Sequence, residues 1–105
     1  MKRAALLLIF ALAPLAAHDD EPPALARTAV THGAAGPFAV AGYRMGVAAL
    51  RELGLTRGSG ALEVVHYSPA QVQWSCIVDG LQASTGASLG KLNLRWVETS
   101  GGATY

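Results

Sequence analysis

The side chains of this chain that could do chemistry are few and lie in three places along the sequence. The single cysteine, Cys76, lies in the stretch VQWSCIVDG, three residues before Asp79. His32 begins the turn-forming stretch HGAAGPF, and His66 lies in the apolar stretch ALEVVHY. Thiolate, imidazole and carboxylate groups are the ligands that zinc and related transition metals prefer. These residue types therefore predict a metal site or thiol chemistry, provided that the fold brings them together.

Cys76 has four alternative roles: metal ligand, reactive thiol, intermolecular disulfide or buried apolar residue. One cysteine has no partner for an internal disulfide, although oxidising compartments favour disulfides. Free cysteine is also among the most frequently buried side chains. If a helix begins at Ser75, Cys76 lies in its first turn, where the helix dipole favours a thiolate. His66 or His32 would then be the base of a thiol reaction.

The N-terminal residues have the order of an export signal. Lys2 and Arg3 precede an unbroken run of ten apolar residues, and small residues follow. This order predicts a secretory signal peptide over residues 1–17, cleaved after Ala17, with cleavage after Ala26 as the alternative. The run is shorter than the ~20 apolar residues of a membrane-spanning helix. The sequence therefore predicts an exported, periplasmic or extracellular protein without a membrane span after cleavage.

Composition and charge exclude several classes of protein. With 105 residues, of which 51% are hydrophobic and 14% charged, the chain is one folded domain and not a disordered segment. The net charge of +1 depends on the basic residues of the signal peptide: without residues 1–17, six basic side chains face seven acidic ones and the net charge is −1. Binding to nucleic acid needs a clustered basic surface, so no nucleic-acid partner is predicted.

The sequence predicts an α+β domain over residues 30–105, preceded by a flexible leader at 18–29 that is rich in proline and acidic residues. A helix is predicted over 39–53, because apolar residues recur there at helical spacing. The residues of the predicted apolar face are Val40, Tyr43, Val47 and Leu50. Small residues on a neighbouring face leave a shallow groove where another backbone can approach closely, namely Gly42, Gly46 and Ala49.

The second half of the domain predicts a strand, a helix and a further strand. Residues 61–67 are rich in β-branched and aromatic residues and alternate in polarity, which is typical of a strand. The following helix begins either with Ser68 as its N-cap or near Ser75. Residues 92–97 predict a half-buried strand, and the tail at 100–105 is expected to be frayed. The order helix, strand, helix, strand predicts a small mixed or antiparallel sheet.

Two blocks of the chain, between about Thr31 and Leu94, resemble a known family. The stretch CIVDGLQASTGASLGKLNL is similar to the Cys-x-x-Asp-x-x-Gln, Thr-Gly and Leu-Gly-Lys-x-Asn-Leu motifs of the FmdE family, which is named after one of the subunits of formylmethanofuran dehydrogenase. Ten spaced residues match without a gap: Cys76, Asp79, Gln82, Thr85, Gly86, Leu89, Gly90, Lys91, Asn93 and Leu94.

The second block is weaker, because it lacks two side chains of the family motif that could bind a metal. The family has His-Gly-His-x-Cys-Pro-Gly followed by a Gly-x-Arg helix, and five residues match: His32, Gly33, Pro37, Gly42 and Arg44. The second histidine of the motif falls on Ala34, the cysteine on Gly36 and the last glycine on Phe38. The resemblance therefore implies a degenerate form of the motif.

The resemblance implies a site for zinc or another divalent transition metal. Its ligands would be His32, Cys76 and His66, with Asp79 as a fourth ligand or as a hydrogen-bonding partner of a ligand. The family block also implies that Asp79, Gln82 and Lys91 bind the cofactor. Because structural zinc takes four protein ligands, such a site would be weaker or more open than that of the family.

For function, the resemblance implies a transition-metal binding module or an accessory subunit, not a complete enzyme by itself; any activity would be associated with an oxidoreductase. The alternatives are a metal-free, degenerate domain that binds a partner, and a thiol or redox protein that uses Cys76. Family members continue with further strands after the Asn-Leu motif, whereas eleven residues follow Leu94 here. The resemblance therefore implies a C-terminally incomplete domain, or a homodimer that completes the sheet, besides a partner from an oxidoreductase complex.

Overall fold

The computed structural model describes residues 23–105, so the predicted signal peptide over residues 1–17 and its cleavage after Ala17 lie outside the described part of the chain. Three helices and three strands form an α+β domain, which confirms the predicted fold class. The elements in chain order are α1 (Pro23–His32), α2 (Pro37–Leu53), β1 (Val64–Ser68), α3 (Val72–Thr85), β2 (Leu94–Glu98) and β3 (Ala103–Thr104).

The strands form one small mixed sheet in the order β2-β1-β3. Strands β1 and β2 are parallel, with Val64 opposite Leu94 and His66 opposite Trp96. Helix α3 connects these two strands, as parallel neighbours require a crossover. Strand β3 runs antiparallel to the other edge of β1, where Thr104 lies opposite His66. The prediction of a small mixed or antiparallel sheet is confirmed in its mixed form.

Local signals explain where α2 begins and ends. Pro37 occupies the first turn, where its missing amide hydrogen removes no helical hydrogen bond. At the other end Gly54 adopts a left-handed conformation with φ of 64° and ψ of 29°, and its amide caps the carbonyl of Arg51. Glycine tolerates this conformation without steric cost. The predicted helix over 39–53 is therefore present with one additional half-turn at its start.

The main packing contact of the domain joins α2 and α3 through glycines. A Cβ atom added at Gly42 would lie 2.0 Å from the carbonyl oxygen of Ile77, and one added at Gly80 would lie 1.8 Å from that of Ala39. Gly46 lies against the side-chain hydroxyl of Ser84, which would be 1.9 Å from a Cβ atom added there. These distances are shorter than any van der Waals contact, so the two backbones approach only because no side chain intervenes. At Gly42 and Gly46 the groove predicted on α2 is thus filled by α3, whereas Ala49, its third predicted residue, is exposed.

Apolar residues from α2, α3 and the sheet close a small core between the helices and the sheet. Its buried members are Leu50, Leu62, Val64, Leu81, Ala87 and Leu94. The buried face of α2 is rotated slightly from the predicted one, because Ala39 and the glycines contact α3 while Val47 is 38% exposed. The reason is the close helix contact, which favours the smallest residues over the largest ones.

Part of the predicted flexible leader belongs to the folded domain. Residues 23–29, which fall within the leader at 18–29, form most of α1. This helix packs against α3 and α2, and Thr28 is completely buried in it. Tertiary packing therefore orders a segment whose composition predicts a solvated leader, as it can for any segment of weak helix propensity.

Three further predictions are corrected by the second half of the chain. Helix α3 begins at Val72 after Gln71, so neither Ser68 nor Ser75 is its N-cap. The tail is not frayed throughout, because β3 pairs with β1 and Tyr105 exchanges backbone hydrogen bonds with Val65. Strand β2 is less buried than predicted: only Leu94 faces the core, and the other four residues of the strand are exposed.

No helix among residues 23–105 is long and apolar enough to cross a membrane.

Candidate functional site

The candidate site is built on a contact between the end of α1 and the middle of α3. His32 is the last residue of α1, and its Nδ1 atom lies 2.6 Å from Oδ2 of Asp79. Both side chains are partly buried, with 24% of His32 and 42% of Asp79 exposed. The structure therefore joins the two sequence blocks that carry the resemblance, although these residues are 47 positions apart.

The pairing with Asp79 fixes the orientation of the His32 ring. An ionised carboxylate only accepts hydrogen bonds, so Nδ1 carries the hydrogen and donates it. In a neutral ring, Nε2 then keeps its lone pair free for a metal or a proton. Histidine ligands of metals commonly have this arrangement, with one nitrogen held by a carboxylate and the other directed to the metal. The pair is therefore suited to present His32 Nε2 as a ligand.

Cys76 lies on the same side of α3 as Asp79. Residues three apart in a helix are neighbours on its surface, with roughly 5–6 Å between their Cβ atoms. The thiol is half-buried and is a free cysteine. Because Val72 is the first residue of α3, Cys76 is the fifth, and its amide is beyond the unpaired first turn. Cys76 therefore lacks the first-turn position that would favour a thiolate, and that prediction is wrong.

The described residues supply fewer donors than either a closed or an open zinc site takes. Within residues 23–105, no group of three or more His, Cys, Asp or Glu side chains is placed to hold a metal ion. His32 Nε2 and the Cys76 sulfur are two donors, whereas structural zinc takes four and catalytic zinc takes three. The aligned positions of the two missing family ligands are Ala34 and Gly36, which have no donor side chain.

His66 lies apart from this pair and has different partners. Its Nε2 is 3.2 Å from the backbone carbonyl of Trp74, and its Nδ1 is 2.8 Å from the hydroxyl of Thr104. A carbonyl only accepts, so Nε2–H donates to Trp74 and Nδ1 accepts from Thr104. Both ring nitrogens are thus engaged, and metal ligation through either one would break a hydrogen bond. Its role as a ligand stays a prediction from the sequence.

Burial keeps His66 neutral. The ring is 3% exposed, and this desolvation lowers its pKa below the ordinary value of 6.5, although the hydrogen bond to the Trp74 carbonyl acts in the opposite direction. A charged imidazole loses hydration on burial, so the neutral form is favoured. The folded protein therefore binds a proton at His66 less readily than the unfolded chain does.

This lowered pKa predicts a loss of stability in mild acid. Well above pH 6.5 both states carry neutral His66. As the pH falls through 6.5 the unfolded chain takes up the proton first, so the free energy of unfolding decreases. One proton gives a slope of at most about 1.4 kcal/mol per pH unit. Urea unfolding between about pH 5 and 8 measures it. The slope should be smaller in His66→Gln, and equal slopes in both proteins would contradict the account.

Of the two remaining residues of the predicted site, Gln82 and Lys91, the second has a structural partner, and Arg57 has a similar one. The Nζ atom of Lys91 donates to the carbonyl of Gly86, 2.6 Å away, just after the end of α3. Arg57 donates to the carbonyl of Ala83 in the last turn of the same helix. Cations at a helix C-terminus satisfy its unpaired carbonyls. Gln82 is half-buried on α3. Cofactor binding by Gln82 and Lys91 stays a prediction.

Two polar residues near these histidines have no signal in the sequence motifs. Thr28 precedes His32 by one helical turn, and its hydroxyl is buried and has no hydrogen-bond partner among the described residues. Thr104 holds His66 from the C-terminal tail. A buried unpaired hydroxyl is rare and marks a place where another polar atom would be favourable. The positions of Thr28 and Thr104 beside the histidines follow from the registers of α1 and β3. They could therefore be recognised only once these two elements were known.

Comparison with known proteins relates most of the described chain to one protein family. The family model described as FmdE, Molybdenum formylmethanofuran dehydrogenase operon, matches residues 31–104. The match includes His32, Cys76 and Asp79, together with all three strands. No curated protein and no solved structure matches the chain significantly.

Proposed function

The chain belongs to the FmdE family, which is related to formylmethanofuran dehydrogenase, and we propose that it is a metal-binding accessory domain of an oxidoreductase complex. It holds a divalent transition metal, with zinc as the reference case, through His32 Nε2 and the Cys76 thiolate. Solvent or a partner chain completes the coordination. Because residues 1–17 have the order of a secretory signal peptide, we also propose that the domain is exported and works in the periplasm or outside the cell.

The observation that carries this proposal is the 2.6 Å contact between His32 and Asp79. Asp79 holds the ring so that Nε2 faces away from the carboxylate. Cys76 lies on the same side of α3 as Asp79, one turn earlier in the helix. When bound, the metal would supply Lewis acidity or a link to a partner. The chain itself supplies an oriented nitrogen, a thiol one helical turn from Asp79 and a half-buried setting.

A second candidate function is a metal-free domain that binds a protein partner. It is favoured by the lack, among residues 23–105, of three side chains placed to hold a metal. The family name refers to an operon of a dehydrogenase that has several subunits, which makes a partner from such a complex reasonable. A homodimer is the remaining partner proposal. In each of these cases the domain is not a complete enzyme by itself.

Zinc titration of the purified full chain distinguishes the two candidates. We expect one zinc per chain in the wild type and a loss of at least about tenfold in affinity in His32→Ala and in Cys76→Ala, because each removes one of two protein donors. Equilibrium dialysis or a competing chelator dye measures the affinity under reducing conditions.

The adjacent variants Thr31→Ala and Ser75→Ala are matched controls, since they change neighbouring positions of the same helices without removing a donor. Both should bind zinc as the wild type does. A wild type without bound zinc, cobalt or nickel would contradict the metal proposal and favour the metal-free domain. Equal affinity in the wild type and Cys76→Ala would remove the cysteine from the site.

A further inference from the structure

A cleft lies on the opposite side of α3 from the candidate metal site. Its volume is about 520 Å³, within the range of small-molecule sites. Met45 of α2 and Trp74 and Ile77 of α3 form one wall. The end of β1 and the tail from Ser100 to Thr104 form the other. Residues 74 and 77 are each two positions from 76 and 79, which places the two pairs on opposite helix faces.

The cleft contains a buried hydrogen-bond donor that is not engaged. Ser68 is 2% exposed, and its Oγ accepts the indole N–H of Trp96 at 2.8 Å. Among the described residues, the Ser68 hydroxyl donates to no acceptor. A hydroxyl has one donor and two acceptor positions, so its proton is available to a ligand. Thr104 Oγ1, which donates to His66, keeps a lone pair that could accept.

The charges of the lining determine the class of ligand. No acidic or basic side chain of the described residues lines this cleft. His66 in its wall is neutral, because burial lowers its pKa. A charged ligand would lose hydration there without gaining an opposite charge. The apolar side chains of Met45, Trp74 and Ile77 favour an apolar or aromatic body.

The position of the cleft agrees with known ligand sites of α/β units. It lies at the carboxyl end of β1, where the chain leaves the parallel pair of strands to enter α3. Ligands commonly bind outside the carboxyl ends of parallel strands. The tail residues on its rim include Gly101 and Gly102, which have no side chains to block entry.

We propose that this cleft binds a small uncharged aromatic molecule that carries a hydrogen-bond acceptor, with the acceptor at Ser68 and the ring between Met45, Trp74 and Ile77. The site does not depend on the metal site, because it uses the other face of α3. It would bind its ligand equally in the wild type and in Cys76→Ala, so that the two proposals can fail separately.

Benzamide is a suitable probe, since it has one aromatic ring and an uncharged carbonyl. We expect saturable shifts of the amide resonances of Ser68, Ile77 and Gly101 in nitrogen-15 NMR spectra of the full chain. Benzoate, which has the same ring with a charge, should bind at least about tenfold more weakly than benzamide. Met45→Trp should weaken benzamide binding by about tenfold or more, because the larger side chain fills the cleft.

Val47→Trp is the matched control, because Val47 lies on the same helix, is exposed to the same extent as Met45 and does not line the cleft. It should bind benzamide as the wild type does. The proposal is overturned if benzamide shifts none of the cleft amides, or if Met45→Trp binds it unchanged. Shifts of these amides with protein concentration alone would show that a second copy occupies the cleft, and would also overturn it.

Discussion

Gly80→Ala should destabilise the domain by about 3 kcal/mol or more, because the added methyl group meets the backbone of the neighbouring helix. The new Cβ atom would lie 1.8 Å from the carbonyl oxygen of Ala39 and 2.5 Å from the amide nitrogen of Tyr43. Both are backbone atoms of α2, so no side chain can move aside. The helices must separate, which opens the contact that holds α2 against α3.

The higher helix propensity of alanine opposes this destabilisation but does not cancel it. Alanine is favoured over glycine within a helix by about 1 kcal/mol. The steric cost exceeds this gain, and a domain of this size has only about 5–15 kcal/mol of stability in total. Urea unfolding followed by far-ultraviolet circular dichroism measures the change.

Gly36→Ala is the control for Gly80→Ala. Gly36 has φ of −68° and ψ of 156°, which any residue adopts, and an added Cβ atom would meet no atom within 4 Å. Because Gly36 is the N-cap of α2, where glycine is preferred over alanine, the loss of stability should stay within about 1 kcal/mol. A Gly80→Ala variant as stable as Gly36→Ala would show that α2 and α3 do not pack as described.

Asp79→Asn should weaken zinc binding about 10- to 100-fold while the domain remains folded. The amide has the shape of the carboxylate but lacks its charge, so it holds the His32 ring less firmly in the orientation that presents Nε2. The contact is 2.6 Å in the wild type, which is typical of a strong, charge-assisted hydrogen bond. Affinity is measured by competition with a chelator of known strength.

Glu52→Gln provides the control for charge, because it removes one negative charge at the exposed end of α2, away from His32. Its affinity for zinc should equal that of the wild type. If Glu52→Gln weakens zinc binding as much as Asp79→Asn, the effect arises from net charge alone, and the orienting role of Asp79 is wrong.

Helix α2 and its close contact with another backbone could be predicted from local sequence signals, whereas α1 lies partly in the predicted leader. Pro37 and Gly54 mark the ends of α2. The missing amide hydrogen of proline and the left-handed conformation of glycine suit a helix terminus better than a helix interior. The small residues Gly42 and Gly46 predicted a close approach of another backbone, and the structure identifies α3 as that partner. The resemblance likewise placed His32 and Asp79 in one site, where they form a hydrogen bond.

The remaining differences depend on contacts between distant parts of the chain. Ser68 has the features of an N-cap, yet it ends β1 and accepts a hydrogen bond from Trp96, 28 residues away. The Gly-rich tail forms β3 only because the edge of β1 is free to pair with it. His66 lies on the buried face of β1, but its partners are set by α3 and the tail. Local patterns carry no information about such pairings.

The claim that His32 and Cys76 together bind a metal is tested most directly by the absorption spectrum of the full chain with cobalt(II), which replaces zinc in such sites. A cysteine thiolate bound to cobalt gives a charge-transfer band in the near ultraviolet. We expect this band in the wild type, its loss in Cys76→Ser, and a weakened or shifted spectrum in His32→Ala. A wild-type spectrum equal to that of free cobalt, or one that is the same in His32→Ala, would contradict the account.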